Sequence, residues 1–217
     1  MKITILDKSK LVNSVFSKVY KKYDLMNDIM SFGIHRIWKD KFIDWMNPCS
    51  GSKLIDVASG TGDIAKLFSK HSNNLSEITC IEPNSEMFKE GKKNLKKLKN
   101  INWFKAPAEK LPVKDNTYDY YSISYGIRNV TDVNKTLKEA YRVLKPGGRF
   151  MCLEFSKIDN EALNFFYKQY SKTIPIIGKY VVGTSEPYKY LIESIDHFYN
   201  QNQLIELMKD NGFSNTE

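Results

Sequence analysis

The 217-residue chain has no apolar run approaching the roughly 20 residues of a membrane-spanning helix, which argues against an integral membrane protein. Its first stretch, MKITILDKSK, lacks the apolar core and small-residue cleavage site of a secretory signal, and it is not the Arg- and Ser-rich composition of a transit segment. Cysteine is scarce: Cys49, Cys80 and Cys152 stand in no metal-ligand spacing, so no metal is expected. Cys80 and Cys152 fall inside apolar, strand-like runs, where a thiol packs as a small hydrophobe. Buried, reduced thiols in a reducing compartment are the expectation. Low-complexity segments and internal repeats are missing too.

What is present suits one domain with a real core: hydrophobic residues make up 41% of the chain and aromatics 13%. The formal net charge is +8, which permits nucleic acid or an anionic membrane surface as a partner. The lysines concentrate in KEGKKNLKKLKN, residues 89–100, with Leu95 and Leu98 on the other face. That pattern reads as an amphipathic helix with a solvated Lys face. It lacks the interleaved Arg and aromatic residues of a phosphate-binding run, so no nucleic-acid partner is expected.

The first 50 residues read as a helical segment closing over a substrate. Val12, Val15, Phe16 and Val19 recur at helical spacing. A second helix is predicted over 34–46, with Ile34, Ile37, Trp38, Phe42 and Trp45 on its apolar side, and NPCSGS ends it. From residue 51 onward strands and helices alternate, which predicts a second, ligand-binding part within the same structural unit. Strands are expected at 53–58, 77–82, 101–106, 118–124 and 149–155. Helices are expected at 62–71, 84–99, 132–144, 159–173, 187–195 and 200–211. Such alternation predicts an α/β, three-layer sandwich with a mostly parallel sheet. Ligands of these sheets sit at the carboxyl ends of the strands, here the loops after residues 58, 82, 106 and 124.

The first of those loops lies within KLIDVASGTGDIAKLF, residues 53–68. Its backbone is nearly bare at Ala58, Ser59, Gly60 and Gly62. One fitting ligand is a dinucleotide, whose pyrophosphate would sit on helix N–H groups. The three-glycine fingerprint is matched only weakly, because Ala65 stands where the third glycine would be. The other is a nucleoside with an amino-acid tail. Asp56, inside the strand, would sit awkwardly beside a pyrophosphate and suits an ammonium group. DVASGTG therefore resembles the first motif of S-adenosylmethionine-dependent methyltransferases. Glu82 ends the next strand, where an acid accepts ribose hydroxyls in both cofactor classes.

Longer stretches narrow the choice. YDLMNDIMSFGIHRIWK, residues 23–39, and RVLKPGGRFMCLEFS, residues 142–156, resemble the two signature stretches of the quinone-biosynthesis C-methyltransferase family. SYGIRNVTD, residues 124–132, is similar to the stretch after strand 4 of that family. The likeness runs from about residue 12 to residue 213. It implies a class I fold with seven strands in the order 3-2-1-4-5-7-6. It also implies C-methylation of a polyprenyl benzoquinol or naphthoquinol on the way to ubiquinone or menaquinone, with S-adenosyl-L-methionine as donor. By position, Thr61, Glu82, the pair Pro107 and Ala108, and Ser124 match the family's cofactor contacts. Pro107 stands where the family often has Asn or Asp, so a side-chain contact to adenine is lost there and the Ala108 N–H is left to serve. Ser59 stands where Gly is common. The family continues past NGF into two closing strands. Here the expected sheet has five, with the fifth as an exposed edge.

The implied chemistry is an in-line displacement on a sulfonium, which needs alignment and exclusion of water. A hydroquinone carbon is nucleophilic chiefly as its phenolate, so the site needs a base or a stabilising cation. Arg128 is the candidate cation, since a guanidinium stays protonated. Asn129 could orient a ring hydroxyl, Tyr125 could line the ring pocket, and Glu154 could act as base or hold Arg128. His35, with Tyr23 and Asp24, could act from the lid as a base or a ring contact; each could equally be a structural side chain. His71 and His197 form no metal constellation. YKQYSKTIPIIGKYVVG, residues 167–183, is the expected entrance for the prenyl tail and a membrane contact. These features predict a cytoplasmic enzyme peripheral to the inner membrane, or on the matrix side in an organelle, and a place in a quinone-biosynthesis complex. The rival readings are another small-molecule methyltransferase, a nucleic-acid methyltransferase and a non-catalytic subunit on the same scaffold.

Overall fold

The computed structural model describes residues 5–20, 25, 27–28, 31–156, 167, 169–171, 173–175, 179–180, 183 and 185–217. Helices α1 (Ile5–Val19) and α2 (Ile34–Met46) lead into β1 (Lys53–Val57), α3 (Asp63–His71), β2 (Glu77–Ile81), α4 (Ser85–Asn94) and β3 (Ile101–Phe104). Then follow β4 (Tyr118–Ser124), a 3₁₀ turn (Ile127–Asn129), α5 (Val133–Val143), β5 (Leu144–Leu153), α6 (Glu186–Asp196) and α7 (Gln201–Asp210). Among the described residues five strands, all parallel, run in the order β3-β2-β1-β4-β5. The order reverses between β1 and β4, whose carboxyl ends frame the crevice that such sheets offer to ligands.

Both faces of the sheet are covered, which is why neighbouring positions in β1 are both apolar. Ile55 and Val57 join Ile81, Tyr121, Ile123 and Leu137 in one core cluster. Leu54 faces the other way, into Phe42, Ile43, Met46, Ile64, Phe68 and Ile78. A smaller cluster of Val19, Ile174, Tyr188, Leu191 and Ile195 fastens α1 to α6. Side chains cap the helices where the sequence supplies them. Asn84 accepts from the backbone of Glu86 and Met87 at the head of α4. Asp132 accepts from Lys135 N–H at the head of α5, and Asn200 and Gln203 form a capping box on α7.

Several expectations shift. The first three strands end one or two residues early, and β5 starts at Leu144 rather than 149 because the KPGG stretch pairs across an irregularity opposite Tyr118 and Tyr120. Helix α4 stops at Asn94, where Leu95 turns in to be buried, and its lysines are exposed as predicted. The predicted apolar side of α2 is the larger correction. His35, Lys39, Phe42, Ile43 and Met46 face inward, while Ile34, Ile37, Trp38 and Trp45 are exposed, Trp45 by 73%. The helix packs on α3, and its inward Lys39 pairs with Asp63 there. The predicted helix 159–173 and the prenyl entrance at 167–183 lie mostly outside the described residues, as do Tyr23 and Asp24. Among the described residues no helix is long and apolar enough to cross a membrane.

Candidate active site

The loop between β1 and α3 is held in a shape that only small residues tolerate. Gly60 and Gly62 adopt φ of +57° and +90°, and Ala58 joins them in the left-handed region at +55°. Ser59 N–H donates to the Ile81 carbonyl, and Gly62 N–H donates to the Ser59 carbonyl. Neighbouring glycines let the backbone close in. A Cβ on Gly91 of α4 would lie 2.3 Å from the Trp103 ring and 2.9 Å from Gly60 O. A Cβ on Gly126 would meet Ala58 Cβ at 2.6 Å. Neither Gly91 nor Gly126 is recognisable from a loop motif, because each serves a contact distant in sequence.

Asp56, Ala58, Gly60, Thr61, Ser124 and Tyr125 line one cleft at the carboxyl ends of β1 and β4, together with Ser59, Asp63, Ile64 and Lys39. Asp56 is 1% exposed; its Oδ1 accepts from Ser122 Oγ at 2.7 Å and its Oδ2 has no partner. Burial pushes the Asp56 carboxyl up to about 7. Ser124 Oγ is likewise buried without a partner. These orphaned acceptors and the bare loop fit a ligand that carries an ammonium group and hydroxyls. A wider surface cleft among Lys53, Thr79, Asn102, Thr117 and Tyr118 lies at the opposite, amino ends of the strands.

Glu82 sits where an acid was expected, but its carboxylate also braces the loop. Oε2 accepts from Gly60 N–H at 2.9 Å and Oε1 from Asn84 N–H at 2.8 Å. Burial lifts this carboxyl too, to about 7. Asn84 in turn donates to Asn13 and Ser17 of α1, so the first helix is bonded to the rim of the site. Pro107 is exposed and Ala108 buried just beyond β3, outside the cleft lining.

Past β4 a second cluster assembles. Arg128 Nη1 donates to Glu154 Oε1 and, at 3.0 Å, to the Tyr125 carbonyl; its Nε donates to Ser194 Oγ at 3.3 Å. Both side chains of the Arg128–Glu154 pair are 4% exposed. Glu154 Oε1 also accepts from Phe155 N–H, and the guanidinium lies 5.7 Å from the Phe155 ring centre. Burial raises the Glu154 carboxyl, and Arg128 opposes the rise. Asn129 Nδ2 donates to the Tyr125 carbonyl at 3.2 Å, and Tyr190 OH donates to Asn129 Oδ1 at 2.9 Å. Tyr125 stacks on Phe155 with ring centres 4.8 Å apart. Tyr190 and Ser194 of α6 carry no local signal that could have placed them here.

His35 is separated from this group. It is buried, its Nε2 bonds Asp28 Oδ1 at 2.9 Å, and it does not line the cleft. Burial lowers its pKa, against the pull of Asp28. One turn further along α2, Lys39 does line the cleft, and its Nζ lies 2.6 Å from Asp63 Oδ2.

Comparison with known proteins places these residues in context. The model of the ubiE/COQ5 methyltransferase family matches residues 4–217. The ubiquinone/menaquinone biosynthesis C-methyltransferase UbiE of Rickettsia bellii (strain OSU 85-389) is 52% identical over 219 aligned positions, covering 98% of this chain and 88% of its own. The protein of the same name from Rickettsia akari is 50% identical over 98% of this chain and 88% of its own. Among solved structures, a SAM-dependent methyltransferase from Thermotoga maritima superposes with a TM-score of 0.64 at 21% identity, covering 94% of this chain and 81% of its own. One from Aquifex aeolicus gives a TM-score of 0.61 at 20% identity, covering 90% and 87%. Both share the fold.

Proposed function

The chain belongs to the ubiE/COQ5 methyltransferase family, and from that premise we propose that it methylates a ring carbon of a quinol precursor of ubiquinone or menaquinone, with S-adenosylmethionine as donor. The bound donor supplies an electrophilic methyl group on a sulfonium. Transfer would break the S–CH3 bond, form the C–CH3 bond and release one proton net, while the residues of the chain orient the acceptor and stabilise its phenolate.

Tyr125 is the observation that carries this reading. It lines the donor cleft, and its carbonyl oxygen holds both Arg128 and Asn129. An acceptor ring beside Tyr125 would lie between the donor cleft and the buried Arg128 guanidinium. Arg128 stabilises the phenolate oxygen as the ring carbon becomes nucleophilic. Glu154 balances the charge of Arg128 and fixes its plane, so the cation meets the phenolate without reorganisation. Asn129, held by Tyr190, orients the ring hydroxyl. The Tyr125–Phe155 stack walls the ring from water. Asp56 and the glycine loop seat the donor's amino-acid end, and Glu82 accepts from its ribose while bracing Gly60.

A polyprenyl tail is insoluble in water, so the acceptor must arrive from a bilayer or a carrier. The exposed apolar side of α2, with Ile37 at 60% and Trp45 at 73%, supports contact with a lipid surface, and the positive net charge favours anionic headgroups. Changing Ile37 and Trp45 to Asp should abolish flotation with anionic vesicles; unchanged flotation removes this contact. Transfer of labelled methyl to short-chain demethylmenaquinol and methoxybenzoquinol tests the reaction itself. Donor binding without turnover on either acceptor would favour the non-catalytic scaffold instead.

A further inference from the structure

Lys39 is a charged side chain that the reaction above leaves unused, and its surroundings are unusual for a lysine. It comes from α2, yet its Nζ crosses to the first turn of α3, 2.6 Å from Asp63 Oδ2. Its side chain is only 7% exposed. An ammonium has three donors, and among the described residues this one makes a single hydrogen bond.

Asp63 does not require that bond. It is 37% exposed, and it sits in the first turn of α3, where the helix N-terminus already favours an anion. The cleft, by contrast, does require a cation. Its lining contains two carboxylates, Asp56 and Asp63, and Lys39 is the one positive charge among the described residues there. An amino-acid tail brings both an ammonium and a carboxylate. Asp56 Oδ2, buried and without a partner, answers the ammonium. Nothing else in the lining but Lys39 matches the carboxylate with opposite charge.

We propose that Lys39 binds the α-carboxylate of the donor's methionine moiety, so that helix α2, together with the glycine loop, forms the donor site. This rests on the methyl-donor reading above. Asp63 holds the ammonium in place until the ligand carboxylate shares it. The contact is charge-assisted, and such hydrogen bonds contribute enough for about 10- to 100-fold in affinity.

Titration calorimetry separates this role from a merely structural one. The ligands are S-adenosylhomocysteine and its decarboxylated counterpart, which keeps the ammonium and lacks the carboxylate. Wild-type protein should prefer S-adenosylhomocysteine. Lys39→Met should weaken S-adenosylhomocysteine by about 10-fold or more and the decarboxylated ligand by less than about two-fold, so that the preference disappears. Lys39→Arg should keep most of it, and serves if the Met variant does not fold. Equal weakening of both ligands, or a preference that survives in Lys39→Met, overturns the assignment while leaving the donor reading intact. Wild-type protein that binds neither ligand overturns both.

Discussion

Two ion pairs flank the crevice at the switch in strand order, and they are built differently. Arg128–Glu154 is enclosed, with both partners 4% exposed, Arg128 Nε and Nη1 bonded to Ser194 and the Tyr125 carbonyl, and Glu154 accepting from Phe155 N–H. Lys39–Asp63 is open on one side, with one partner buried and the other more than a third exposed. A sealed pair cannot be exchanged for a ligand without stranding a charge in low dielectric. An open pair can, because the exposed carboxylate falls back on water and the helix terminus. If the pairs serve the two sides as proposed, the acceptor side has fixed geometry and the donor side exchangeable charge.

The comparison breaks most visibly at Glu154. Glu154→Gln leaves Arg128 buried without a counter-charge and should lower stability by about 3–5 kcal/mol in a denaturant melt, with loss of methyl transfer. Arg128→Lys keeps the charge but not the planar fork. It should fold, bind donor with unchanged Kd, and lose about 100-fold or more in kcat. On the donor side the greatest loss should come from packing. Gly91→Ala drives a methyl group into Trp103 and the Gly60 carbonyl, and should cost about 1–3 kcal/mol and weaken donor binding by calorimetry.

Asp56 sharpens the contrast through pH. Its carboxyl and that of Glu82 lie near 7 in the folded chain, against about 4 when unfolded, so the folded state holds extra protons between those values. The stability these groups contribute below about pH 4 should therefore fade as pH rises to 7, and Asp56→Asn should flatten part of that slope. Donor affinity should rise as pH passes through about 7, where Asp56 ionises to meet the ammonium, and Asp56→Asn should lose about 10-fold at pH 8 and part of the pH dependence, the rest coming from Glu82. The smallest effect is at Asp63. Asp63→Asn should cost about 1 kcal/mol in a melt, well below the loss at Glu154.

Local chemistry made part of this legible. A small-residue loop after an apolar strand fixes its own shape, so Asp56, Ala58, Gly60, Gly62 and Glu82 could be placed from 30 consecutive residues. The strand and helix alternation likewise depends on periodicity that the sequence displays. Contacts between distant segments were hidden. Arg128 and Glu154 could be named, but the choice of Glu154 as anchor rests on burial that only the assembled sheet creates. Gly91, Ser194 and Tyr190 are ordinary residues until the chain brings them to Trp103, Arg128 and Asn129. Helix α2 misled because its apolar residues outnumber its polar ones on the wrong face. Hydrophobic periodicity assumes that the apolar stripe is the buried one, and here a buried histidine and lysine occupy that position.

Helix α2 thus has a different face on each flank: an ammonium lining the cleft and a row of uncovered aliphatic and indole groups turned outward. Both flanks belong to one continuous helix of 13 residues. Were lipid on the outer row to shift the helix, donor affinity would shift with it, and bound donor would change lipid affinity by the same factor. Steady-state measurements in detergent and on vesicles should then disagree about the donor's apparent Kd as well as the acceptor's.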